Sequence, residues 1–159
     1  MAALEKHSHV TAVTEFISTE RPLLGICVGM QVLFEMGTEF EEIEGIGVLK
    51  GSVEAVPPQT SEAKPHKVPH IGWTELLFPD HRPAGKRSIL NNLIEHASTY
   101  YVHGFHCKPR SEEDLLAYAD YDGQTLTAAV QKDNVIGCQF HPEKSGEVGL
   151  AILKNYLDV

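Results

Sequence analysis

Leu24-Gly25-Ile26-Cys27-Val28-Gly29-Met30-Gln31 is the stretch on which the reading of this chain turns. Leu23 to Ile26 is a short apolar run after Pro22, the pattern of a buried strand. A helix is expected just after Cys27, running through Met30, Leu33 and Phe34. The cysteine then sits at a strand-to-helix turn, with glycine two residues before and two after. This is the nucleophile-elbow pattern with Cys in place of Ser. A sharp turn lifts the side chain over the end of the sheet, and the glycines leave room for neighbouring backbone. The helix N-terminus favours negative charge and is expected to lower the thiol pKa. The Val28 N–H would face the position of an oxyanion. The same spacing also suits a small buried cysteine with no chemistry.

The second informative segment is Gly137-Cys138-Gln139-Phe140-His141-Pro142-Glu143-Lys144-Ser145. A strand, Val135 to Phe140, ends here, and His141 and Glu143 follow two residues apart. In extended backbone, residues i and i+2 face the same side. Pro142 disfavours helical backbone at His141. One imidazole nitrogen is expected to meet Cys27 and the other Glu143, whose carboxylate would select the tautomer. By itself His-Pro-Glu reads more readily as a surface turn than as a site. Its joint occurrence with the cysteine elbow favours chemistry, with all three groups at strand ends of an α/β sheet.

Working outward, Ala2 to about Thr19 is predicted helical, because Val10, Val13 and Ile17 recur at helical spacing. From Gly45 onward, glycines and prolines punctuate short apolar runs, which suggests strands and loops. Pro79 to Gly85 reads as a loop, Leu90 to His96 as a short helix and Tyr100 to Phe105 as a strand. Leu115 to Tyr121 and Thr125 to Gln131 flank Asp122-Gly123, a hairpin signal. Ser145 is expected to cap a final helix with Leu150, Leu153 and Leu157 on one face. The expected fold class is α/β, with helices at both ends and a strand-rich middle, in a single domain spanning residues 1–159.

The 159 residues suffice for one ordinary core, and 42% apolar content excludes a disordered chain. A net charge of −9 argues against nucleic acid and against anionic membrane surfaces. The longest uncharged apolar stretch, Pro22 to Phe34, is too short to span a bilayer. Cys27, Cys107 and Cys138 are few, odd in number and far apart, so no disulfide framework is suggested and a reducing, cytoplasmic setting fits. Of the nine histidines, His66, His70, His81, His96, His103 and His106 show no paired ligand spacing and no companion cysteine pair, so no metal is expected.

Gly-Ile-Cys-Val-Gly-Met-Gln and Gln-Phe-His-Pro-Glu-Lys-Ser together resemble the class I, triad-type glutamine amidotransferases. Val68-Pro69-His70-Ile71-Gly72-Trp73-Thr74 and Tyr101-Val102-His103-Gly104-Phe105 resemble, more narrowly, the glutaminase subunits of imidazole glycerol phosphate synthase. Thr127-Ala128-Ala129-Val130 fits the same group. Thr74 and Gly104 depart mildly from its usual pattern. The resemblance covers nearly the whole chain, with the blocks in order.

What the resemblance implies is specific. The fold is a flavodoxin-like α/β arrangement. Cys27, His141 and Glu143 are catalytic, and Val28 supplies an oxyanion donor. Gln31, Glu39 and the backbone at Gly104 and Phe105 contact the substrate glutamine. No cofactor is needed. Glutamine is hydrolysed to glutamate and ammonia. The ammonia passes to a barrel-type cyclase subunit in a heterodimer, for imidazole ring formation in histidine biosynthesis. The His70–Trp73 segment lies near the partner face. Two alternatives stay open. One is the amidotransferase component of another synthase, such as one making anthranilate or guanylate. The other is a non-catalytic remnant that only binds the partner. An unrelated cysteine hydrolase with a similar elbow is a third, more distant reading.

The family pattern also implies a preceding β-α-β portion of about fifty residues, ending in a Pro-Gly-Val-Gly type loop. Met1 falls just after that loop, so the expectation is a chain that lacks the portion or a start assigned late. The loop would carry a second oxyanion donor, worth on the order of 10²–10³ in rate. The absent strands would leave apolar surface uncovered, at about 1.5–3 kcal/mol for each large side chain. Their loss is expected to make this polypeptide unstable or prone to aggregate alone.

Overall fold

A computed structural model of the chain describes residues 8–38, 42–80, 88–94 and 96–159. Helix α1 (His9–Ser18) leads to strand β1 (Leu23–Ile26), the elbow at Cys27 and the short helix α2 (Val28–Gln31). Strands β2 (Phe34–Gly37), β3 (Ile43–Glu44), β4 (Leu49–Ala55), β5 (His70–Glu75), β6 (Ser98–His103) and β7 (Phe105–Pro109) follow. Then come β8 (Leu115–Tyr121), β9 (Gln124–Lys132), β10 (Val135–Cys138) and helix α3 (Gly146–Leu157).

Three sheets organise these elements. The first has the order β1-β10-β9-β8, the second β3-β2-β4-β7, and β5 pairs with β6 as a ribbon. Strands β1 and β10 are parallel, with Leu23 opposite Val135 and Ile26 opposite Cys138. The β8–β9 hairpin turns at Asp122 and Gly123, both with positive φ, as the Asp-Gly signal requires. One core lies between the first sheet and α3, around Ile136, Cys138, Phe140 and Ile152; a second joins the two larger sheets through Met30, Phe34, Val53, Cys107 and Val130.

Several expectations are corrected. The helix after Cys27 stops at Gln31, because the carbonyls of Val32, Leu33 and Phe34 accept bonds from Ile46, Leu49 and Gly47. Tertiary pairing there outweighs helix continuation. Leu90 to His96 holds no helix among its described residues: Asn155 donates to the carbonyls of Ile89 and Asn91, and Asn92 adopts positive φ. Helix α3 buries Gly149 and Ile152, while Leu150 and Leu157 face solvent. Its true inner face is therefore rotated from the Leu150–Leu157 face. Ser145 precedes α3 without a side-chain cap; its hydroxyl instead accepts from the Tyr100 N–H and donates to the His141 carbonyl. Of the predicted N-terminal helix, the part before Ser8 lies outside the described residues, as do residues 81–85 of the stretch Pro79 to Gly85 predicted as a loop. No helix among the described residues is long and apolar enough to cross a membrane.

Candidate active site

Parallel pairing of β1 with β10 is what builds the site. Both strands run the same way, so Cys27 after β1 and His141 after β10 emerge at one end of the sheet. The Cys27 N–H bonds to the Cys138 carbonyl at 2.8 Å, and the His141 N–H to the Tyr100 carbonyl at 2.8 Å. These bonds fasten both turns to their neighbours.

Cys27 has φ 52° and ψ −110°. This is a sparsely populated conformation for a residue with a Cβ, held only where surroundings over-determine it. Gly25 is one of those surroundings. A Cβ there would lie 2.6 Å from the Gly29 carbonyl oxygen and 2.9 Å from the Met30 nitrogen. Gly29, in contrast, has open space around a Cβ, so the room expected of both glycines is needed only at Gly25.

The Cys27 sulfur lies 4.0 Å from the Val102 carbonyl oxygen and accepts from Gln139 Nε2 at 3.6 Å. Burial pushes the thiol pKa up, opposed by the Val28 N–H and the Gln139 amide, with the Glu143 charge adding to the rise. The expected lowering by the helix N-terminus is thus overturned: α2 is one turn long, and desolvation dominates.

His141 Nδ1 is 2.7 Å from Glu143 Oε1, as the two-residue spacing predicts. A carboxylate only accepts, so Nδ1 carries a proton, and in the neutral tautomer this selects, Nε2 is the nitrogen with the lone pair. That Nε2 is buried with no hydrogen-bond partner among the described residues. The anticipated thiol–imidazole bond is therefore not made in this conformation, because Val102 and Gln139 hold the sulfur. Burial raises the Glu143 carboxyl pKa, but the His141 bond and its own backbone N–H outweigh that and hold it below the usual value.

A cavity of about 140 Å³ opens beside the elbow, lined by Val28, Gln31, Met36, Thr38, Val53 and Phe105 among others. Val28 is exposed at its rim. Gln31 does not point free into this space. Its Nε2 donates to the Phe105 carbonyl at 3.0 Å and to Gln139 Oε1 at 3.1 Å. The Gly104 carbonyl accepts from the Val56 N–H. The carbonyls of Gly104 and Phe105 are thus already engaged within the fold. Glu39 lies outside the described residues.

Gln139 received no role from sequence reasoning, although it stands two residues before His141. That i, i+2 spacing was the available signal. His103 and Val102 were also missed as neighbours of the site, since only tertiary pairing brings β6 beside the elbow. Among the described residues no group of three or more His, Cys, Asp or Glu is arranged to hold a metal ion.

Comparison with known proteins bears on the family and the fold. The family model for class-I glutamine amidotransferases matches residues 4–158. The chain is 40% identical over 159 residues to imidazole glycerol phosphate synthase subunit HisH 1 of Legionella pneumophila (strain Lens), covering all of this chain and 75% of that protein. It is 43% identical over 153 residues to subunit HisH of Geobacillus thermodenitrificans, covering 94% of this chain and 68% of that one. Among solved structures, a glutamine amidotransferase aligns at TM-score 0.63 and 16% identity, over 96% of this chain and 70% of that one. A glutamine amidotransferase from Thermotoga maritima aligns at TM-score 0.57 and 18% identity, over 98% of this chain and 56% of that one. At such identities the structures speak to fold alone. That fold is the mixed α/β architecture described above.

Proposed function

The chain belongs to the class-I glutamine amidotransferases, and within them to the HisH-type subunits of imidazole glycerol phosphate synthase; from that premise we propose that Cys27, His141 and Glu143 are its catalytic triad. The reaction is hydrolysis of glutamine to glutamate and ammonia, with the ammonia serving histidine biosynthesis. The observation that carries the residue assignment is the shared sheet end reached by β1 and β10, with a free, buried Nε2 on His141.

In this mechanism His141 Nε2 takes the Cys27 proton as the sulfur attacks the side-chain amide carbon of glutamine. The Val28 N–H donates to the oxyanion. His141 returns the proton to the departing nitrogen, which leaves as ammonia. A glutamyl thioester remains on Cys27. Water, deprotonated by His141, attacks that thioester, and glutamate departs as Cys27 recovers its proton. Glu143 keeps the imidazole in the correct tautomer and balances its transient charge. Gln31 and Phe105 line the cavity proposed to receive glutamine. The assignment of Gln31, Gly104, Phe105 and Glu39 to substrate binding is carried by the family resemblance, since the Gln31 amide protons and the Phe105 carbonyl are engaged within the fold.

The partner we propose is a barrel-type cyclase subunit, forming a heterodimer through the β5–β6 ribbon. The pleat supports this. His70, Tyr101 and His103 face inward and are buried, while Ile71 and Trp73 are each 58% exposed. Trp73 packs edge-on against Tyr100, its cross-strand neighbour. Exposed aromatic and aliphatic side chains on one face suit a protein partner.

A glutamine-derived electrophile, applied to the full chain with a cyclase barrel present, is expected to modify Cys27, and the complex is expected to co-purify. Absence of labelling at Cys27 sinks the nucleophile assignment. Co-purification with an anthranilate- or guanylate-forming partner instead of the cyclase sinks the pathway.

A further inference from the structure

Two amides and two imidazoles beside the site have no part in the triad. Their proton positions follow from one backbone carbonyl. His103 Nδ1 lies 2.8 Å from the Phe105 carbonyl oxygen, which can only accept, so Nδ1 carries the proton. Burial pushes His103 and His70 each down to about 4, which keeps both rings neutral near pH 7. His103 Nε2 is then an acceptor, and His70 Nδ1, 3.2 Å away, must donate to it. His70 Nε2 in turn accepts from the Thr74 hydroxyl at 2.8 Å.

The same carbonyl orients the other arm. It accepts from Gln31 Nε2 at 3.0 Å, so the Gln31 amide cannot be reversed. The second Gln31 proton goes to Gln139 Oε1 at 3.1 Å. Gln139 is fully buried, and fixing its Oε1 toward Gln31 leaves Nε2 facing the Cys27 sulfur. A donor is thereby aimed at the sulfur, which it favours as thiolate.

We propose that Gln139 is a positioning residue of the glutaminase, holding the Cys27 sulfur and favouring its thiolate, and that His103 keeps Gln139 in that orientation through the Phe105 carbonyl and Gln31. This rests on Cys27 being the nucleophile. The other ionisable groups around the sulfur are Glu143 and His141 from the turn after β10, Cys138 at the end of β10, and Cys107 on β7.

The test is the pH profile of iodoacetamide alkylation at Cys27 in the full chain, read peptide by peptide so that Cys107 and Cys138 are scored separately. Gln139→Met keeps the side-chain length and removes the amide. It is expected to move the half-maximal reactivity of Cys27 up by about one pH unit, the size of a hydrogen bond to a charged group. Gln139→Glu moves it further, because a carboxylate then faces the sulfur. His103→Leu moves it in the same direction by less. His103→Asn, which keeps a donor for the Phe105 carbonyl, recovers most of that shift. An unchanged profile in a folded Gln139→Met chain overturns the proposal. If Gln139→Met does not fold, identical profiles for His103→Leu and wild type overturn it instead. If wild-type Cys27 resists alkylation while Cys107 or Cys138 reacts, the nucleophile assignment itself has failed, and the proposal with it.

Discussion

Cys27 carries two burdens that a packing cysteine has no reason to bear. Its backbone sits at φ 52° and ψ −110°, a strain of about 1–3 kcal/mol. Its thiol is also buried against a carbonyl and an amide that compete with His141 for the sulfur. Both are compatible with a resting site in which His141 Nε2 waits unpaired; catalytic hydrogen bonds often tighten only when substrate is bound. Glu143 acts on the ring from the opposite side, with its side chain half exposed at 48%. Replacing it should therefore disturb chemistry and leave folding nearly untouched. Glu143→Ala is expected to lower kcat for glutamine hydrolysis on the order of 10²-fold with little change in KM. Its thermal midpoint should stay within about 1–2 °C of wild type, as for a surface pair. Steady-state kinetics and a thermal melt check both; equal kcat values would remove Glu143 from the mechanism.

At the scale of elements, the elbow between β1 and α2 depends on the missing side chain at Gly25. The atoms a Cβ would meet at 2.6, 2.7 and 2.9 Å all belong to the backbone of Gly29 and Met30. They cannot rotate away, so α2 must shift. Gly25→Ala is expected to destabilise by about 1–3 kcal/mol, the range of overpacking. Gly29→Ala, with nothing near its Cβ, serves as the control expected to melt like wild type. Denaturant unfolding of the two variants distinguishes them. The elements were unevenly legible in sequence. Leu23–Ile26 and the Asp122-Gly123 turn were readable because local apolar runs and turn chemistry determine them. The length of α2 and the inner face of α3 were not. Pairing of Val32–Phe34 with residues 46–49 ends the first, and contact with the sheet rather than leucine spacing orients the second.

At the scale of the molecule, three neutral imidazoles are built into the interior. His70, His103 and His106 are buried, and desolvation pushes each from 6.5 down to about 4. Both nitrogens of His106 lack a hydrogen-bond partner among the described residues. The unfolded chain therefore binds protons between pH 6.5 and about 4 that the folded chain refuses. Stability is full above pH 6.5 and drains as pH falls toward 4. The thermal midpoint is expected to fall steadily across that window. It should fall less in His106→Phe, which removes one of the three groups while keeping an aromatic ring. A midpoint independent of pH between 6.5 and 4 would contradict this account.

The sequence by itself determined the α/β class, the elbow at Cys27, the His141–Glu143 pair and the family to which the chain belongs. Each depends on spacing within a few residues, where backbone geometry alone decides which groups face together. Only the tertiary structure decided what surrounds the sulfur. The Val102 carbonyl and His103 come from β6, His70 from β5 and the Gln139 amide from the residue after β10, and no local pattern records that these segments meet. The same burial that brings them together reverses the expected direction of the Cys27 pKa, because desolvation is a property of the packed interior and not of the turn.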